Sequence, residues 1–174
     1  MKQGFVKVAS ATPRIRVADP VYNAQVICEQ AKEAAEHGAK IVVFPELCIT
    51  GYTCNDLFLQ ELLLEKAKEA LLTIAEETGQ LETLFLVGLP VDKDGRLYNV
   101  AAVLYRGRIL GMIPKKNIPM YAEFYEGRHF TPGEETVTEY RLGKQVIPFG
   151  SNLLFRCEDC LLYTSPSPRD TERS

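Results

Sequence analysis

Two periods alternate along the first half of this chain. FVKVA, from Phe5 to Ala9, sets apolar side chains at every second position, the repeat of a half-buried strand. Asp19-Pro20 follows, an acceptor side chain ahead of a proline, which predicts a helix start. Val21, Ala24, Ile27, Cys28, Ala31, Ala34 and Ala35 then recur at helical spacing, and Gly38 stands where a C-terminal cap is needed. Lys40 to Phe44 contains a continuous apolar run, typical of a strand covered on both faces. A second helix is expected behind Asn55 or Asp56 as cap. Its inward stripe is Leu59, Leu63, Ala67, Ala70, Leu71 and Ile74, and it stops near Gly79.

Beyond Gly79 the strand pattern returns. LETLFLVGLPV, RLYNVAAVLY and ILGMIP read as three strands joined by the turns DKDG and RGR, with Asp94-Gly95 and Gly107 supplying the turn chemistry. The order β-α-β-α followed by a meander predicts an α/β fold with a mixed sheet, because a purely parallel sheet has no consecutive hairpins. Lys116 to Glu139 is expected to be irregular, and stretches of that length in compact domains tend to carry function. One more strand is expected between Gln145 and Arg156. LLYTSPSPRDTERS, Leu161 to Ser174, has no period and is similar to translated adaptor or vector sequence. It is read as a non-native, disordered tail, so the chain divides into a domain over residues 1–160 and a tail over 161–174.

Composition narrows the function classes. With 174 residues, 46% hydrophobic and 25% charged, the chain suits one soluble domain with a sizeable core. A formal net charge of −3 disfavours nucleic acid or an anionic membrane as partner. No apolar run reaches the roughly 20 residues of a membrane helix, and the N-terminus is too polar for a signal peptide. Cys28, Cys48, Cys54, Cys157 and Cys160 form no disulfide framework, which points to a reduced, cytoplasmic protein. Cys157 and Cys160 make at best half a zinc site, and His37 and His129 lie at no ligand spacing, so no metal is expected in this domain.

Two charged residues close apolar strands. Glu46 follows Ile41-Val42-Val43-Phe44 and a proline, with no neighbouring cation in sequence. Most acids near strand ends are merely solvated, but partial desolvation between Pro45 and Leu47-Cys48-Ile49 suits a general base. Lys115 ends ILGMIP. On spacing alone it is one exposed lysine of a pair with Lys116. Glu123 stands eight positions later, among Tyr121, Phe124 and Tyr125.

FPELCITGYTCNDLF, Phe44 to Phe58, and PKKNIPMYAEFYEGRHFTPG, Pro114 to Gly133, resemble the nitrilase (carbon–nitrogen hydrolase) superfamily. Within it they are most similar to the N-terminal glutaminase domains of glutamine-dependent NAD synthetases, over residues 1 to about 159. The resemblance implies a nitrilase-like α-β-β-α sandwich with mixed sheets, incomplete here at its C-terminus. It implies a Glu-Lys-Cys set with Glu46 as general base, Lys115 as the cation facing the oxyanion and Glu123 as the supporting carboxylate. Tyr121 falls where the family contacts the glutamine substrate. The partners implied are L-glutamine and an ammonia-accepting synthetase domain, which would use ATP and magnesium, in a homo-oligomeric parent. No cofactor is implied in this domain.

The cysteine of that set is the gap. Cys48 and Cys54 read as buried small hydrophobes. Cys157 precedes Glu-Asp, as the family's nucleophile does, but by element order it comes one strand too early. The expectation is therefore that the nucleophile is missing and that this fragment is inactive. A stand-alone amidase or carbamoylase with the same set, and a non-catalytic fragment, are the alternative readings.

Overall fold

A computed structural model describes residues 5–119 and 126–156. Its strands are β1 (Val8–Ser10), β2 (Ile41–Val43), β3 (Leu84–Lys93), β4 (Arg96–Tyr105), β5 (Arg108–Pro114), β6 (Thr138–Leu142) and β7 (Gln145–Phe149), with helices α1 (Pro20–Glu36) and α2 (Glu61–Glu77). They form one sheet in the order β1-β2-β3-β4-β5-β7-β6. β1, β2 and β3 run parallel, β3, β4 and β5 form the antiparallel meander, and β7 lies parallel to β5 with β6 antiparallel outside it. The sheet is mixed, as the order of periods predicts.

Local chemistry sets most boundaries. The Asp19 side chain accepts from the Tyr22 amide at 3.1 Å and Pro20 opens α1. Gly38, at φ +80°, ends it. Asp94 (φ +54°) with Gly95 (φ +71°), and Arg106 (φ +47°) with Gly107 (φ +74°), are consecutive left-handed pairs at the two tips of the meander, the backbone that a two-residue hairpin loop demands. The second helix differs from expectation. Asn55–Leu59 is a 3-10 turn, and α2 starts only after Gln60 as N-cap. Asp56 caps nothing there, because its carboxylate pairs with Arg128 at 3.2 Å and His129 at 3.1 Å. The strand expected over Gln145–Arg156 is present but shorter, as β7, and it forms a hairpin with a strand that precedes it. β6 begins at Thr138, inside the stretch expected to be irregular, and Gly143 (φ +57°) lies in the turn between β6 and β7.

Both helices pack on one face of the sheet. Ile27, Ala31, Ala67, Leu71 and Ile74 meet Val42, Phe85, Val87, Val100 and Ala102 in a continuous buried core. The opposite face is open over the centre of the sheet, where Leu86, Ala101 and Ile113 are half-buried and Val43 is exposed. Residues 151–156 cross one side of it. At Gly111 a Cβ would lie 2.9 Å from Phe155 and 3.0 Å from Leu153. The helix layer and one sheet layer of the expected sandwich are thus in place.

Candidate active site

The open face holds a cleft of about 1300 Å³ lined by Val43, Glu46, Leu86, Ala101, Ile113 and Lys115, among others. Glu46 reaches it from a turn that is docked on β3. The Phe44 amide bonds Leu86 O at 2.9 Å, and the Ile49 amide bonds Gly88 O at 3.1 Å. The turn closes through Leu47, whose carbonyl accepts from Gly51 at 2.7 Å and whose φ is +53°. A buried leucine in the left-handed region is strained by about 1–3 kcal/mol, a cost that tight packing around the site must hold in place. Gly88 makes the docking possible: a Cβ there would lie 2.8 Å from Pro45 O and 3.0 Å from Glu46 C.

Lys115 arrives from the end of β5. Its amide bonds Asn99 O at 2.8 Å, and its carbonyl accepts from the Gly133 amide at 2.8 Å. Its Nζ donates to Glu46 Oε1 at 2.7 Å and to both oxygens of Glu126, at 3.0 and 2.9 Å. Burial pulls the lysine pKa down, but the bonds from Glu46 and Glu126 outweigh it and hold the ammonium above its ordinary range. It remains charged at neutral pH.

Glu126 was not anticipated from sequence. It opens the 3-10 turn Glu126–Arg128, its side chain is only 6% exposed, and Tyr52 donates to its Oε1 at 2.7 Å. Burial first, then the adjacent Glu126, push the Tyr52 phenol up, so it acts as a hydrogen-bond donor. A small apolar cluster of Leu47, Cys54, Phe58, Leu63 and Phe130 ties the Glu46 turn, the start of α2 and the Glu126 turn together. The sequence signal for Glu126 was its place in YAEFYEGR, three residues after Glu123, which lies outside the described residues together with Tyr121, Cys157 and Cys160. Glu46 differs from expectation in exposure. Its side chain is 42% exposed, because the cleft beside it is open, and its charge is balanced by Lys115.

Three cysteines can be placed. Cys48 is 1% exposed, its Sγ donates to Gly88 O at 3.7 Å, and burial pushes the thiol up to about 12. Cys54 donates to Thr50 O at 3.1 Å, and burial raises its thiol too. Cys28 lies in the helix-side core, with its thiol raised to about 11 by burial. None is an ionisable nucleophile at neutral pH. Exposure of the folded chain to iodoacetamide, read by peptide mass spectrometry, should leave all three unmodified until denaturant is added; native labelling of Cys48 would contradict this packing.

Among the described residues no helix is long and apolar enough to cross a membrane, and no group of three or more His, Cys, Asp or Glu could hold a metal ion. The family model described as carbon–nitrogen hydrolase matches residues 7–152. The glutamine-dependent NAD(+) synthetase of Mycobacterium bovis is 39% identical over 158 residues, which cover 91% of this chain and 23% of that protein. The protein of the same name from Acinetobacter baylyi is 34% identical over 159 residues, 91% of this chain and 28% of its own. The crystal structure of a glutamine-dependent NAD(+) synthetase from Cytophaga hutchinsonii matches with a TM-score of 0.82 at 29% identity, covering 88% of this chain and 26% of that one. An amidase from Nesterenkonia sp. shares the fold, with a TM-score of 0.65 at 23% identity over 85% of this chain and 56% of its own. The chain spans about a quarter of the length of the curated relatives it matches.

Proposed function

Because the chain belongs to the carbon–nitrogen hydrolase family, we propose that it is the amide-cleaving part of a longer glutamine-dependent NAD synthetase. The observation that carries this is one ammonium, Lys115, clamped between Glu46 and Glu126 at the edge of the cleft. A carboxylate and a fixed cation, side by side, suit acyl transfer from an amide. Glu46 takes the proton of a thiol, and the resulting thiolate attacks the side-chain amide carbon of glutamine. Lys115 faces the oxygen on which negative charge develops, where a preorganised cation is most effective. Collapse of the tetrahedral species breaks the C–N bond, Glu46 returns the proton to the departing nitrogen, and ammonia leaves. Water, deprotonated by Glu46, then cleaves the thioester.

In this reading the thiol comes from a part of the longer polypeptide that the 174-residue chain does not include, and Tyr121 contacts the substrate. Glu126, rather than Glu123, is the carboxylate that holds the lysine. Ammonia would pass to a second domain for ATP-dependent amidation of deamido-NAD. ATP and its metal belong, in this reading, to that second domain, as the name of the relatives implies. The test is an ammonia-release assay on both forms. The 174-residue chain should show no turnover of glutamine, and the polypeptide continued in frame through the missing layers should show it. Hydrolysis by the short chain that disappears on Cys157→Ser or Cys160→Ser would overturn the account of the nucleophile.

A further inference from the structure

We propose that Asn99 is a positioning residue that makes Glu46 a one-sided base, reserving Oε1 for structure and leaving Oε2 to take the proton. The inference rests on the role of Glu46 proposed above and extends it to a residue of the neighbouring strand β4. Asn99 sits in the middle of β4 between Tyr98 and Val100 and is 4% exposed. A buried amide in an apolar strand is costly unless it is hydrogen-bonded. Its Nδ2 donates a hydrogen bond to Glu46 Oε1.

The same oxygen already accepts from Lys115 Nζ at 2.7 Å. Two donors, one of them charged, draw electron density from Oε1 and prevent the carboxylate from rotating. Glu46 Oε2 has no hydrogen-bond partner among the described residues, and Glu46 lines the cleft. When the S–H bond of the attacking thiol breaks, its proton therefore goes to Oε2, and the same oxygen returns it to the leaving nitrogen. No net proton is gained or lost by the pair.

Asn99 also acts through its backbone. Its carbonyl accepts the Lys115 amide at 2.8 Å. In the sheet it lies opposite Pro90 of β3, two positions from Gly88 beneath the Glu46 turn, and β5 on its other side leads to Lys115. One residue thus sets base and cation relative to each other. The backbone half of this arrangement survives any side-chain replacement, so a variant isolates the amide.

The experiment has two arms. In the 174-residue chain, NMR should show an Asn99 side-chain amide proton displaced downfield by its bond to the carboxylate, and moving back to an ordinary amide position in Glu46→Gln. In the longer polypeptide, Asn99→Leu should lower glutamine-driven kcat by about 10²-fold, the scale of a misplaced catalytic group. KM for glutamine should change less than about threefold, and ammonia-driven synthesis should stay unchanged, because the amide orients Glu46 without binding substrate. Asn99→Asp, nearly the same shape, puts a second carboxyl against Oε1 and should move the acid limb of the pH–rate profile upward. This variant covers the case in which leucine disturbs folding. A kcat and an acid limb unchanged in both variants would overturn the role of Asn99. Glutamine-driven turnover surviving Glu46→Gln would instead overturn the role of Glu46 itself, so the two failures are distinct.

Discussion

Replacing Lys115 by alanine in the longer polypeptide should lower glutamine-driven synthesis by on the order of 10³-fold, since the loss of one oxyanion partner costs about 10²–10³ in kcat and the partner lost here is a cation. Ammonia-driven synthesis, which bypasses this site, should be unaffected. The second effect is on stability. Lys115 neutralises Glu126, whose side chain is 6% exposed and whose remaining described partner is the Tyr52 hydroxyl. Removing one member of a buried pair leaves the other uncompensated, at a cost of about 3 kcal/mol, discounted somewhat because Lys115 itself is 30% exposed. Glu126→Gln keeps the shape and removes the charge. It should weaken the clamp on Lys115 and lower kcat, whereas Glu123→Gln should do so less. The reverse order would return the supporting role to Glu123. The pH dependence follows from the direction of the lysine shift. A raised folded-state pKa contributes stability that is fully present below the ordinary lysine value of about 10.4. That stability is lost as pH rises through the folded-state value. No alkaline limb from Lys115 should appear between about pH 6 and 9, well below that pKa.

Gly88→Ala should be nearly as damaging, although the change is one methyl group. The added Cβ meets backbone on three sides, at Pro45 O, Glu46 C and Leu47 N, and backbone in a docked turn cannot rotate away as a side chain can. Overpacking of this kind costs about 1–3 kcal/mol. Its larger consequence is displacement of Glu46 from Lys115 and Asn99, worth about 10²-fold in rate if the shift approaches 1 Å. Gly95→Ala is the comparison. Nothing lies within 4 Å of a Cβ there, and Gly95 is at φ +71° in a hairpin tip. It should cost stability through backbone strain alone and leave glutamine turnover intact. Thermal unfolding and turnover measured on both variants check the contrast. Equal activity loss would place the harm in general destabilisation instead.

The parts of this fold legible in sequence are those specified by neighbouring residues. β4 runs from Arg96 to Tyr105, the bounds of RLYNVAAVLY, because Asp94-Gly95 and Arg106-Gly107 fix its ends without help from the rest of the chain. The start of α1 at Pro20 was legible for the same reason. β6 was not, since only Tyr140 and Leu142 of its five residues turn inward, and an edge strand needs little more. The contact between Glu46 and Lys115 lay beyond spacing or period; the motif resemblance pointed to it. Glu126 and Glu123 share one acidic, aromatic neighbourhood in sequence, and the packing of Phe130 against Phe58, which anchors the turn begun by Glu126, is a tertiary contact that spacing does not reveal. Asn99 had one faint signal, a lone amide inside an apolar strand, which alternation alone assigns to solvent.

Glu46 and Lys115 are 69 positions apart, and Tyr52 and Glu126 are 74 apart. At a synthesis rate of about 5–20 residues per second, the acid would leave the ribosome roughly 3–14 s ahead of its cation. The remaining partners emerge in chain order: Gly88, which seats the turn, then Asn99, which grips the carboxylate, then Lys115 and last Glu126. Each newcomer binds a scaffold already laid down, so the nascent polypeptide can build this charged cluster outward from β3 without undoing an earlier contact.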